Sequence, residues 1–315
     1  MRLIHSVIFF LIFTICSAQD DIVQLKNVSD TILNTKRTLK ITDPLDGIKT
    51  MQKLFPGKLY KMSDHNTFVS WKCKSCKPVP FIDANGEEGD QLFPYTQGVA
   101  TRLLANIEYA DSKGNQFKLL FFNHSIYDED GLQTSRFTGG LLGVAKFAKN
   151  GNLWEMRSFQ SAVAAFGSFA QSPTPKLLQI GEDQYAFTLV HSNGGAGGPY
   201  EGFLYIIAGL DGKYQSLLET SGYQMSNVAN IDWSSSYKVV SDNNKIYFRD
   251  IIITTNGSYH KPKADDEFEV NLPEEIDEMS KTKKQFNFVI EKRFSFKGKR
   301  YNIAGKPVVK FSNVK

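Results

Sequence analysis

A mainly β chain of repeated antiparallel hairpins, with short N-terminal helices ahead of it, is predicted by three observations. From Gly98 onward, apolar and aromatic runs of strand length alternate with turns rich in Asp, Asn and Gly. Each turn is followed within a few residues by a side chain able to anchor a strand: Phe117, Trp154, Tyr185, Tyr214, Tyr247 and Tyr301. The turns near 151, 181, 212 and 243 recur at about thirty residues, as expected if hairpin units bury their faces on one another. The outer turns near 114 and 298 break that period, and a propeller blade takes about forty residues or more. Propeller-like, open-barrel and sandwich arrangements are all compatible with the pattern.

Residues 1–18 read as a cleavable signal peptide. Arg2 supplies the positive start, 7–15 is a short apolar core, and Cys16, Ser17 and Ala18 place small residues at the cleavage site. That core is well short of the ~20 residues a membrane helix requires, so no transmembrane span is expected. The chain is expected to be exported, either periplasmic or secreted.

Residues 19–57 read as a helical lead-in. Val23, Leu25, Val28, Ile32 and Leu39 fall near one face at helical spacing, with Ser29 or Asp30 as a cap. Asp43-Pro44 then opens a second short helix carrying Ile48, Met51 and Leu54, and Pro56-Gly57 ends it. From 58 to 315 the chain reads as a single β-rich domain.

Residues 68–71 suggest a short strand. Asp83 to Gly86, followed by Glu87, Glu88 and Asp90, reads as a solvated loop. Six hairpins follow, pairing 105–109 with 117–122, 141–147 with 153–159, 177–180 with 185–190, 204–208 with 214–218, 237–240 with 246–253, and 286–296 with 301–311. The stretch 263–279, dense in Asp and Glu around Pro273, reads as an acidic excursion loop.

Hydrophobic residues at 41% and aromatics at 13% argue for a filled core and against disorder. A formal charge of +4 over 315 residues is too small to imply a nucleic-acid partner.

Cys73 and Cys76 are the sharpest chemical feature, and a small-loop disulfide is the first expectation for an exported chain. Lys72, Lys74 and Lys77 would favour a thiolate, which leaves a redox pair as the alternative. Zinc would need two more ligands where only His65 is near, so no metal is assigned. Asp128, Asp130 and Gly131 imitate part of a calcium loop, but Ile126 stands where its first aspartate belongs. An exposed acidic turn is the plainer reading.

The glycine cluster 194–198 precedes a strand rather than a helix, and no Lys-Ser or Lys-Thr follows the glycines, so a nucleotide loop is not expected. Its bare backbone instead suggests a ligand-facing loop formed by His191, Asn193, Gly194, Gly195 and Tyr200. His191, beside the glycines, is read as a loop histidine. The small-residue stretch 161–172 suggests a tightly packed strand and turn, with a groove as the secondary idea. Asn27, Asn123 and Asn256 each begin an Asn-x-Ser sequon. No Gly-x-Ser-x-Gly elbow marks a serine nucleophile.

The sequence thus predicts an exported, non-enzymatic module that binds a protein or small-molecule ligand through turns at one rim, without a cofactor. A hydrolase with catalytic residues on separated loops, His191 and a nearby acid among them, and a structural envelope component are the alternatives.

Overall fold

The computed structural model of the chain describes residues 25–64, 66–86, 91–126, 136–194, 199–226, 230–241, 245–262 and 271–315. The expected signal peptide, His65, the 87–90 acids, the 128–131 turn, Gly195 with the next three cluster residues, the 242–244 turn and the 263–270 part of the acidic stretch lie outside them.

The N-terminal segment carries β1 (Lys26–Asn27), a 3-10 turn (Asp30–Leu33), β2 (Lys40–Thr42) and α1 (Gly47–Leu54). Among the described residues, helical spacing before residue 40 therefore does not produce an α-helix. Val28, Ile32 and Ile41 are buried from an irregular and extended backbone. Helix α1 starts later than Asp43-Pro44 suggests, because the Asp46 carboxylate accepts the Lys49 N–H at 2.7 Å and caps it. Met51 and Leu54 are fully buried, as their spacing predicts.

The first sheet gathers β3 (Lys58–Ser63), β4 (Asn66–Lys72), β7 (Val99–Ala110), β8 (Gln116–Ile126), β9 (Gly140–Asn150), β10 (Leu153–Gln160) and the short β11 (Ala165–Phe166). Its order is β1-β4-β7-β8-β9-β10-β2, with β3 on β4 and β11 on β9. The N-terminal strands thus cover its two edges. A separate ribbon pairs β5 (Val79–Pro80) with β6 (Leu92–Phe93).

The second sheet runs in chain order: β12 (Lys176–Gly181), β13 (Gln184–Gly194), β14 (Tyr200–Leu210), β15 (Lys213–Ser226), β16 (Ile231–Val239), β17 (Ile251–His260), β18 (Gln285–Lys297) and β19 (Arg300–Ile303), with β20 (Val308–Ser312) on β18. It curls into a half-barrel around Ile180, Leu204, Ile206, Leu217, Ile253 and Tyr301. The hairpins are gathered into two antiparallel sheets rather than radial blades.

Strands β8, β9, β13 and β14 read as near-continuous apolar runs because both of their faces are covered. Leu120 and Phe122 face the core under α1, while Leu119 and Phe121 face the second sheet. On β14, Leu204 and Ile206 fill the half-barrel, while Tyr205 and Ile207 face the first sheet. The two-residue side-chain period therefore sorts each strand between two cores. At the seam, Phe121 meets Phe187 edge to face with ring centroids 4.8 Å apart.

Three further expectations change. The 246–250 stretch is not strand, and Tyr247 is 62% exposed, so it anchors nothing. Phe248 takes that role instead, stacked on Phe296 at 3.9 Å. The acidic stretch is helical over α2 (Glu274–Thr282), where acids in the first turn complement the helix dipole and Ile276 is buried. Asp83 is buried rather than solvated.

Cys73 and Cys76 are joined by a disulfide, as their spacing predicts. Protein starting after residue 18, and so without Cys16, is expected to take up no alkylating label by intact mass when purified without reductant, and two labels after reduction. Two labels before reduction would contradict the bridge.

Candidate functional site

Residues 161–174 carry the chain from the first sheet to the second, and that crossing brings three left-handed residues close together. Gly167, Phe169 and Ala170 have φ of 76°, 52° and 50°. Left-handed backbone costs a non-glycine residue roughly 1–2 kcal/mol, so two in succession persist only where the surroundings over-determine them.

Hydrogen bonds from three directions do so. The Asn123 side chain on β8 donates to the Ala170 carbonyl and accepts the Ser172 N–H, both at 2.8 Å. The Ala170 N–H donates to the Thr138 carbonyl at 2.8 Å. His191 Nδ1 on β13 accepts the Gly167 N–H at 2.8 Å, and Asn85 Nδ2 donates to the Gly167 carbonyl at 2.9 Å. Asn85 is itself held, since its N–H and Nδ2 both donate to Asp83 Oδ1 and Asn193 donates to its Oδ1. Asp83 Oδ2 accepts the Gly139 N–H at 2.9 Å.

This clamp presents Phe169 outward at 45% exposure. Cavities of about 460 and 660 Å³ adjoin along Gln171, Ser172 and Thr174, forming a groove with Phe169 in its wall. Thr67, Ser168, Gln171 and Thr174 also line the groove. No side-chain hydrogen bond engages these four among the described residues. Arg102 lies over the Phe68 ring at 5.0 Å and donates to Asn66 and Ser125. Lys61 and Asp64 pair at 2.9 Å, so the charged wall is largely self-compensated.

The residues predicted from the glycine-rich stretch separate. His191 lies on a strand and is 2% exposed, which corrects its reading as a loop histidine. Burial pushes its pKa below the usual value, and the nearby Asp83 and Glu219 offset that only partly. Neutral His191 is what the clamp needs, because a protonated ring would have no acceptor for the Gly167 N–H. Asn193 joins the same network. Gly194 has no room for a side chain, since a Cβ there would meet the Pro199 backbone. Tyr200 stands at the start of β14, where its hydroxyl meets Arg136 at 3.5 Å. Gly195 lies outside the described residues.

Sequence reasoning missed Asp83, Asn85 and Asn123, which act from distant parts of the chain. Asn123 begins a sequon, yet it is 3% exposed with both amide atoms bonded, so the folded chain offers no glycan acceptor there.

His124 imitates a catalytic base. Its Nδ1 lies 2.7 Å from Thr101 Oγ1, which also accepts the Trp71 Nε1–H at 2.8 Å. The Ser161 carbonyl beside Nε2 calls for a donor there, so the histidine proton resides on Nε2 and the Thr101 hydroxyl donates to Nδ1. Nε2 lies beside the Ser161 carbonyl, which only partly offsets burial, and it closes no well-formed hydrogen bond. Phe55 and Phe93 pack on the ring at 5.0 Å, and Thr101 and His124 are fully buried. Burial lowers the pKa to about 3, so the pair is a neutral core contact without access for a substrate.

On the other side of the crossing segment, a cleft of about 520 Å³ is lined by Val163, Phe166, Tyr205, Ile207, Tyr214 and Glu219 among others. Burial raises the pKa of Tyr205, its largest effect, and Glu219 adds to it by accepting the hydroxyl at 3.2 Å.

Comparison with protein-family models, curated proteins and solved structures finds no match for this chain.

Proposed function

We propose that this chain is an exported, non-enzymatic binding module whose polar ligand lies in the groove along 167–174. The observation that carries this reading is the presentation of Phe169. A half-exposed aromatic ring on left-handed backbone, held by side chains from both sheets, is a costly arrangement for surface packing alone. For ligand capture it supplies a rigid apolar contact with little entropy left to lose. The unbonded hydroxyls and amide of Thr67, Ser168, Gln171 and Thr174 then give direction to a polar partner. Neither buried histidine holds a nucleophile at a cavity wall, so a hydrolytic reading gains nothing from the geometry.

Phe169→Ala tests the proposal. On arrays of oligosaccharides and peptides, wild-type protein is expected to retain ligands that the variant binds at least about tenfold more weakly, a loss of ~1.4 kcal/mol. The variant should melt within a few degrees of wild type, because the clamp is made by backbone groups at 167–172 rather than by the ring. Undiminished binding of every retained ligand by the variant would overturn the groove as the site.

A further inference from the structure

The cleft beside Tyr205 has a charge arrangement distinct from that of the groove. Glu219 and Arg300 both line it. Glu219 accepts only the Tyr205 hydroxyl, and the Arg300 guanidinium forms no ion pair or hydrogen bond among the described residues. The two are not paired with each other, so their charged atoms stand more than 4.0 Å apart. The cleft's other charged side chains among the described residues already have partners. Lys299 donates to Asp211 at 2.6 Å, and Asp83 is saturated by the amides of Gly139 and Asn85. Among the described residues, Glu219 and Arg300 are left as an anion and a cation lining a common space, and Phe166, Ile207 and Tyr214 add apolar wall to it.

We infer that this cleft binds a small zwitterion with an apolar body, a free amino acid or dipeptide, with its ammonium at Glu219 and its carboxylate at Arg300. A volume of about 520 Å³ falls within the ~300–1,000 Å³ typical of small-molecule sites. A ligand carrying both charges satisfies two groups that are not paired with one another. A ligand with one charge leaves the opposite wall unmatched. The Tyr205 hydroxyl fixes the Glu219 carboxylate in place, so the anionic end is set before the ligand arrives. The inference does not depend on the groove, which the 167–174 part of the segment lines together with other residues of the two sheets.

Calorimetric titration with L-phenylalanine, N-acetyl-L-phenylalanine and L-phenylalaninamide tests it, with L-leucyl-L-leucine as a larger probe. Wild type is expected to bind phenylalanine or the dipeptide, and each singly charged derivative of phenylalanine at least about tenfold more weakly. Glu219→Gln should weaken phenylalanine by a similar factor while leaving the N-acetyl derivative unaffected, since that derivative has no ammonium to lose. Arg300→Gln should do the same for phenylalanine and spare the amide. Both residues are exposed, so the variants should keep wild-type melting temperatures. Phe169→Ala should bind phenylalanine as wild type does, which separates failure here from failure of the groove. Absence of binding by both zwitterions at millimolar concentration, or equal binding by wild type, E219Q and R300Q, would overturn the assignment.

Discussion

Replacing His124 by alanine is expected to lower folding stability by about 3–5 kcal/mol, the range for removing a large buried ring. Three causes add. The ring fills the space between Phe55 and Phe93, and its loss leaves a cavity between them. The Thr101 hydroxyl loses its acceptor in a site with no water access. The Trp71 Nε1–H then depends on a hydroxyl that is no longer oriented. Urea unfolding followed by tryptophan fluorescence measures the loss, and a change below ~1 kcal/mol would show that the aromatic cage closes without the ring.

The same residue gives stability a defined pH dependence. His124 titrates near 3 in the folded chain, against about 6.5 when free. Between those values the unfolded chain binds the additional proton, so stability is complete above ~6.5 and falls as pH drops. Each pH unit in that window lowers the folding constant by about tenfold per buried histidine. His191, lowered by its burial, acts in the same direction. Asp43, Asp111, Glu155 and Asp250 are also held low, but they are almost fully ionised in both states above ~5.5 and add their dependence below it. The slope between about pH 5.5 and 6.5 therefore reports the histidines. His124→Gln should remove one proton from it, and an unchanged slope would assign the titration elsewhere.

The β architecture was legible because turn chemistry is local. Asp111 to Asn115, Gly151, Gly212 and Gly298 each sit at a hairpin end, and all four of the glycines at 114, 151, 212 and 298 have positive φ. Errors arose where tertiary burial outweighed a local pattern. Val28 and Ile32 keep helical spacing because both must reach the core, and an irregular chain achieves that as well as a helix. Helix α2 was hidden by its own acids, which signal a solvated segment unless Ile276 and Met279 are seen to pack under β18. His191 looked like a loop residue because the glycines follow it, whereas its pairing with Phe203 extends the strand past it. The clamp was illegible for a different reason. Asn85, Asn123, Gly167 and His191 are dispersed along the chain, and no spacing rule connects them before the sheets are stacked. Only the notion of a groove at 161–172 touched the right segment, through its small residues.

Gly140 at the start of β9 should be the least substitutable position in that clamp. A Cβ there would fall on Asn123 Oδ1, the Ser172 nitrogen and, at 2.6 Å, the Ala170 carbonyl oxygen. These are the atoms whose hydrogen bonds hold Phe169 outward. Gly140→Ala must therefore push the Asn123 amide off its partners or move β9 away from the turn. Either leaves buried backbone groups without partners, at roughly 1–3 kcal/mol each, so a loss of about 3 kcal/mol or more is expected. Asn123→Ala removes the same two bonds and should cost about 2–4 kcal/mol. Combined, the two substitutions should cost about 1–2 kcal/mol less than their sum, because truncating Asn123 vacates part of the space that the new methyl requires. Both single variants should also lose groove ligands at temperatures where they remain folded, since a released turn no longer fixes the Phe169 ring. Additive stability losses from the double-mutant cycle would mean that Gly140 and Asn123 act on the fold separately, and the clamp would not be one unit.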